Sequence, residues 1–167
     1  ADGSIACWGD DSLGQCSVPA GLGTVLDVDA GLFHTVARTN QGGVACWGSD
    51  AFGQSTVPAG LGPVSAIAAG ARHTLVLAGG DDPAVVGWGS NTSAQLEIPS
   101  TLEGVVLVGV AAGSGHSVVL DETGQVHAWG TDSAGQVSGV DGYAPATAVS
   151  AGGAATLLLV PDCASDP

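Results

Sequence analysis

The residues of this chain that could do chemistry are three regularly spaced histidines, four cysteines and two acidic pairs. His34, His73 and His116 stand at similar intervals. Histidines that converge could hold a metal ion or move a proton. Cys7, Cys16, Cys46 and Cys163 could ligate zinc or form bridges, but their spacings of 9 (7 to 16), 30 (16 to 46) and 117 (46 to 163) match no common zinc pattern. An even number of cysteines without a CxxC pair suits disulfides and an oxidising compartment, and leaves three pairings open. Asp10–Asp11 and Asp81–Asp82 could attract a cation, yet neither segment has the ligand density of a calcium loop. Asn91-Thr92-Ser93 matches a glycosylation sequon, although Asn91 also suits a turn. No Ser/His/Asp set, paired carboxylates or phosphate loop stands out. The expectation is no catalysis, no cofactor and no bound metal.

These residues sit in a repeat. Trp8, Trp47, Trp88 and Trp129 are spaced 39 (8 to 47), 41 (47 to 88) and 41 (88 to 129) residues apart. Each Trp is followed by Gly, and a Gln comes seven residues after it: Gln15, Gln54, Gln95 and Gln136. Pro19, Pro58 and Pro99 follow three of these, whereas the fourth repeat has Gly139 and Val140 there. Ala-Gly recurs at 30–31, 69–70, 112–113 and 151–152. Three residues beyond each Gly come His34, His73, His116 and, breaking the set, Ala155. Histidines in one register of successive repeats read as structural hydrogen-bonders, and the missing fourth argues against a metal site. His127 lies outside the pattern and reads as part of a strand face.

A fixed period near 40 decides the architecture before any local signal does. Each repeat yields about four short strands, as in Val64–Ala69, His73–Ala78, 85–88 and 55–57, bounded by Gly, Pro or Asp-Asp turns. No segment sustains a period of 3.6 residues. Four-strand units at this period predict an all-β fold, a β-propeller of four repeats forming one domain over 1–167. The Gly after each Trp suits a positive φ, and Asp11, Asp50, Asn91 and Asp132 suit Asx turns in the next loop. The glutamines are expected to satisfy buried loop backbone, and the tryptophans to pack between blades.

The string W-G-x-[DN]-x-x-[GA]-Q…[VI]-P…A-G-x-x-H-[ST] resembles the regulator-of-chromosome-condensation type of repeat. Its compact Gln-x-x-Val-Pro-Ala form, Gln54 to Ala59, resembles that of propeller-type β-lactamase inhibitory proteins and secreted bacterial repeat proteins. The resemblance covers essentially the whole chain. It implies a propeller, usually of seven blades, that binds through loops on one face and carries no catalysis. Similar secreted repeats often place Cys at both positions of Cys7 and Cys16, which implies a bridge between them, with Cys46–Cys163 as its complement.

Sixteen acidic residues stand against Arg38 and Arg72, for a formal charge of −14. That charge repels nucleic acid and anionic lipid. The longest apolar run, residues 105–112, is interrupted by Gly109 and is strand-sized, so no membrane helix is expected. The chain starts at Ala1 and contains no Met, as a processed secreted protein would. The run 155–160 reads as the first half of a hairpin, and 4–8 as a second half. These ends are expected to complete one shared blade, either by closing a ring or by strand addition between copies. The expected function is a secreted, non-enzymatic propeller that binds a protein or other copies of itself. The second reading is an enzyme inhibitor that acts through one propeller face.

Overall fold

The computed structural model describes residues 3–80, 84–140, 143 and 145–161. Its strands are β1 (Val25–Ala30), β2 (His34–Thr39), β3 (Val44–Gly48), β4 (Val64–Ala69), β5 (His73–Ala78), β6 (Ala84–Gly89), β7 (Leu107–Ala112), β8 (His116–Asp121), β9 (Val126–Gly130), β10 (Ala148–Gly152) and β11 (Ala155–Leu159). They form three antiparallel sheets, β1-β2-β3, β4-β5-β6 and β7-β8-β9, and a two-stranded sheet β10-β11. The only helical turns among the described residues are Ser100–Leu102 and Ser138–Val140. The fold is that of β-propeller blades set side by side.

The chemistry of the repeat explains each sheet. Val, Leu, Ile and Thr favour the pleated, half-buried positions of short strands. The middle strand carries His then Thr or Ser, and its register is the same each time: Thr35 faces Trp47, Thr74 faces Trp88 and Ser117 faces Trp129. Gly48, Gly89 and Gly130 end the outer strands at φ of 101°, 104° and 108°, a region that L side chains avoid. Each first strand carries a bulge at its start, at Val25/Asp27, Val64/Ala66 and Leu107/Gly109. A bulge bends and twists a strand locally.

The fourth strand expected at 55–57 is absent, and so is a strand at 4–8. The loop backbone at 55–57 is already satisfied locally. Ser55 N–H donates to Asp50 Oδ1, Thr56 N–H donates to the Gly53 carbonyl, and Pro58 has no N–H to offer a ladder. Among the described residues, 5–8 form no ladder of the kind that joins β3 to β2.

The first strands line the axis. A depression of about 350 Å³ is bounded by Asp29–Leu32, Ala69–Ala71, Ala112–Ser114 and Ala151–Gly153, one segment from each unit. Neighbouring units are tied there by Ala69 N–H to Asp29 Oδ2, Ala71 N–H to the Gly113 carbonyl and Ser114 N–H to the Gly153 carbonyl. Two apolar clusters fill the spaces between sheets. Val36 from the first sheet meets Val64, Ile67, Val76 and Trp88 of the second. Leu75, Leu77 and Val85 of the second meet Leu107, Val119 and Trp129 of the third.

Candidate functional site

The repeated polar residues form relays between units. The Gln54 side chain accepts from Phe52 N–H at 2.8 Å, and Gln15, Gln95 and Gln136 do the same for Leu13, Ser93 and Ala134. This locks the loop so that the glutamine's own carbonyl points at the following repeat. Gln15 O receives the Thr35 hydroxyl and the Trp47 indole N–H. Gln54 O receives Thr74 and Trp88, and Gln95 O receives Ser117 and Trp129. Gln136 O receives the Thr156 hydroxyl at 2.7 Å and, among the described residues, no indole.

The histidines extend these relays. His34 Nε2 lies 2.8 Å from the Thr74 hydroxyl, His73 Nε2 3.2 Å from Ser117 and His116 Nε2 3.0 Å from Thr156. Each hydroxyl already donates to a glutamine carbonyl, so it must accept from the histidine, and the ring proton sits on Nε2. The three rings are fully buried, and Nδ1 of each has no partner. Burial pushes His34 and His73 down to about 4; Asp50 opposes the shift at His34, and the flanking histidines add to it at His73. His116 is lowered too, by burial, against an opposing interaction with the Ala155 backbone. Neutral rings, each engaged by a different hydroxyl, are poorly arranged for a metal. No cluster of three or more possible metal ligands exists among the described residues.

The remaining candidates have local roles. Asp11, Asp50, Asn91 and Asp132 each accept from the N–H five residues on, at Cys16, Ser55, Leu96 and Val137, a wider clasp than an Asx turn. Asp10 accepts from Ser12 and Gln15, while Asp81 and Asp82 lie outside the described residues. His127 Nε2 pairs with Asp121 Oδ2 at 3.1 Å. Burial raises the Asp121 pKa, but hydrogen bonds from Thr123, His127 and Gln125 outweigh it and hold the carboxyl near about 2. Cys7 and Cys16 are joined in a disulfide. Cys46 carries a free thiol, and Cys163 lies outside the described residues.

Trp47, Trp88 and Trp129 are buried between units, but Trp8 is 85% exposed and does not pack as the repeat pattern predicts. Apolar residues on the outward faces of the first and last sheets are likewise exposed. Leu157 and Leu159 occupy the positions of Leu75 and Leu77, yet are 59% and 63% exposed where Leu75 and Leu77 are 0% and 1%. Val28, in the position of the buried Ile67, is 49% exposed. A cleft of about 490 Å³ opens beside β11, lined by Gln136, Tyr143, Thr156, Leu158 and Val160 among others. Another of about 340 Å³ lies between residues 3–6 and 25–28. On the loop face, Arg72 stacks over Phe52 at 5.0 Å and Phe33 at 5.9 Å, a pairing the repeat pattern could not reveal because neither Phe is a repeat position. The end faces were readable in principle, since the leucines follow from register alone.

A family model described as "Regulator of chromosome condensation (RCC1) repeat" matches residues 25–54, 64–95 and 107–136. The human probable E3 ubiquitin-protein ligase HERC6 is 39% identical over 37% of this chain and 7% of its own length. The receptor kinase CR4 ectodomain of Physcomitrella patens superposes with a TM-score of 0.67 at 24% identity, covering 86% of this chain and 38% of that one. Yeast RCC1 (Prp20), solved with Kap60 bound, gives a TM-score of 0.68 at 20% identity over 81% of this chain and 41% of that one. The chain thus spans less than half of these solved chains.

Proposed function

The chain belongs to the Regulator of chromosome condensation (RCC1) repeat family, and on that premise we propose that it is a non-enzymatic, extracytoplasmic protein-binding module that assembles with copies of itself through the exposed apolar faces of β1 and β11. The observation that carries this is the contrast at equivalent positions. Leu75 and Leu77 are sealed by the next unit, while Leu157 and Leu159 face solvent. Burying a side chain of this size is worth roughly 1.5–3 kcal/mol, so an exposed apolar face favours association. The uncovered Val28 side of the first sheet repeats the surface that seals such leucines inside the chain. Head-to-tail contact of this kind gives a ring if the rotation closes and a filament if it does not. The Cys7–Cys16 bridge and the likeness to a receptor ectodomain support an extracytoplasmic setting. Light scattering of the native protein over a range of concentrations tests the proposal. A mass of several chains supports it, and a monomer at every concentration rules it out.

A second reading, an inhibitor that caps an enzyme with one face, is favoured by Arg72 between Phe33 and Phe52 on the loop side. Arginine and aromatic side chains dominate binding hot spots. A discrete monomer that loses its partner on Arg72→Ala would support that reading instead.

A further inference from the structure

We propose that a hollow on the loop face, between the second and third sheets, binds a sugar acid. Arg72 holds the carboxylate, and serine and threonine hydroxyls hold the ring. The hollow has a volume of about 360 Å³ and is built from loops in the middle of the chain. It therefore stands independently of the self-assembly reading.

Comparison between units shows why this space is open. The residue before each relay histidine is Phe33, Arg72 or Gly115. The residue two before each glutamine of the preceding loop is Leu13, Phe52 or Ser93. In the second unit these two positions carry a stacked pair, with Arg72 over the Phe52 ring at 5.0 Å. In the third they are Gly115 and Ser93, so the pair has no counterpart and its volume is left free. Gly115 is not among the positive-φ glycines, so its backbone does not demand glycine. A Cβ there would press on Ser93 Oγ and Thr131 Cγ2, each at 3.2 Å. Main-chain bonds hold the walls in place. Ser90 N–H donates to the Arg72 carbonyl and Thr131 N–H to the Gly115 carbonyl, both at 2.8 Å. Ser93 N–H donates to Gln95 Oε1 at 2.8 Å.

The lining fits an acid with hydroxyls. Arg72 is fixed by its rings and has no carboxylate partner among the described residues. A guanidinium offers paired N–H groups that match a carboxylate. The loop beside it carries Asn91 where the other loops carry Asp11, Asp50 and Asp132, so one negative charge is absent here. The net charge of −14 is screened over roughly 8–10 Å at physiological salt, which makes the local balance decisive. The hydroxyls of Ser93, Ser114 and Thr131 line the hollow and have no partner among the described residues. Each can donate and accept, as sugar hydroxyls do. Leu32, 61% exposed, gives an apolar surface to the C–H face of a sugar ring. A bare inorganic anion would leave these hydroxyls unused, and pockets of roughly 300–1,000 Å³ suit whole small molecules. A free uronic acid and the terminal uronic acid of a glycan present the same chemistry.

The test titrates the full chain with glucuronate, glucose and glutarate, followed by NMR amide shifts. Glucuronate is expected to move the amides of residues 90–95, 114–115 and 131. Glucose is expected to bind more weakly by about tenfold or more, and Arg72→Gln is expected to weaken glucuronate by a similar factor, as loss of a charged hydrogen bond would. Arg72 is exposed, so this variant keeps the fold. Gly115→Leu fills the hollow and is expected to abolish binding. A glucuronate-ended disaccharide that binds more tightly than glucuronate assigns the site to a glycan end, and one that binds more weakly assigns it to the free acid. Glutarate binding as well as glucuronate overturns the sugar and leaves a site for an acidic protein side chain. Unmoved amides with glucuronate, or unchanged binding by Arg72→Gln, overturn the site itself. Light scattering reads self-assembly separately from all of these results.

Discussion

The Trp88 indole N–H donates to the main-chain carbonyl of Gln54, 34 residues earlier in the chain, at 3.0 Å. The bond ties the outer strand of one sheet to the loop that leads into it, and the indole also fills the space towards the preceding sheet. Trp88→Phe keeps most of the burial and loses the bond, so it should cost about 1–2 kcal/mol, within the usual range for a lost buried hydrogen bond. Trp88→Ala should cost about 3–5 kcal/mol, like other large core truncations. Trp8→Ala should change the stability of the dispersed chain by less than about 0.5 kcal/mol, as exposed substitutions do. Urea unfolding of the three variants at low protein concentration measures this. A large loss for Trp8→Ala would mean that Trp8 is packed within its own molecule.

The buried histidines make stability depend on pH in a definite direction. Burial holds His34 and His73 at about 4 in the folded chain, below the ordinary histidine value of 6.5. The unfolded chain therefore binds more protons than the folded one between these values, and stability rises with pH across that window. It is fully present above about 6.5 and is lost as pH falls towards about 4, by roughly 2–3 kcal/mol for each of the two. Asp50 and Asp132, held low mainly by hydrogen bonds from Thr56 and from Ser138 respectively, add a further loss below about 3.8. Urea midpoints measured from neutral to acid pH should fall first in the histidine window. A flat profile between about 6.5 and 4 would contradict neutral, buried rings.

The sequence made the repeats legible because a tryptophan, a glycine and a glutamine at fixed spacing must each answer the same local geometry. Thus Gln54 binds its own loop, and Gly89 takes its left-handed φ, as the pattern predicts. The number of strands was less legible. Residues 55–57 look like a strand by composition, but Asp50 and Pro58 remove the N–H groups that a ladder needs. The relay from His34 to Thr74 spans 40 residues. Its existence follows from the repeat, whereas its direction, each histidine reaching forward to the next unit, depends on how sheets stack. Trp8 was the least legible of all, since the repeat sets it with three buried tryptophans and yet its own ring is 85% exposed.

Ala94 is the only described residue other than glycine with positive φ, at 59°. Its counterparts Gly14, Gly53 and Gly135 adopt 80°, 79° and 77°. A Cβ in this region meets the carbonyl, at a cost of roughly 1–2 kcal/mol. Replacing Ala by Gly also frees the unfolded chain, which takes back part of the gain. Ala94→Gly should therefore stabilise by about 0.5–1 kcal/mol, and Gly53→Ala should destabilise by at least as much. Thermal unfolding of both variants checks the sign, and a stabilising Gly53→Ala would contradict the left-handed loop.

Cys46 should be chemically silent until the fold opens. Burial, with a smaller push from Asp50, raises its thiol to about 12. The thiolate is the reactive form, so a thiol held this far up is almost wholly protonated at neutral pH. Iodoacetamide should leave Cys46 unlabelled in the folded chain and label it in urea without reductant, while Cys7 and Cys16 should need both urea and reduction. Peptide mass mapping reads each site separately. If Cys46 stays unlabelled in urea until reductant is added, it is bridged, and Cys163 is its partner. If Cys46 labels in the folded chain as fast as in urea, its place in the core beside Val36 and Val44 is wrong.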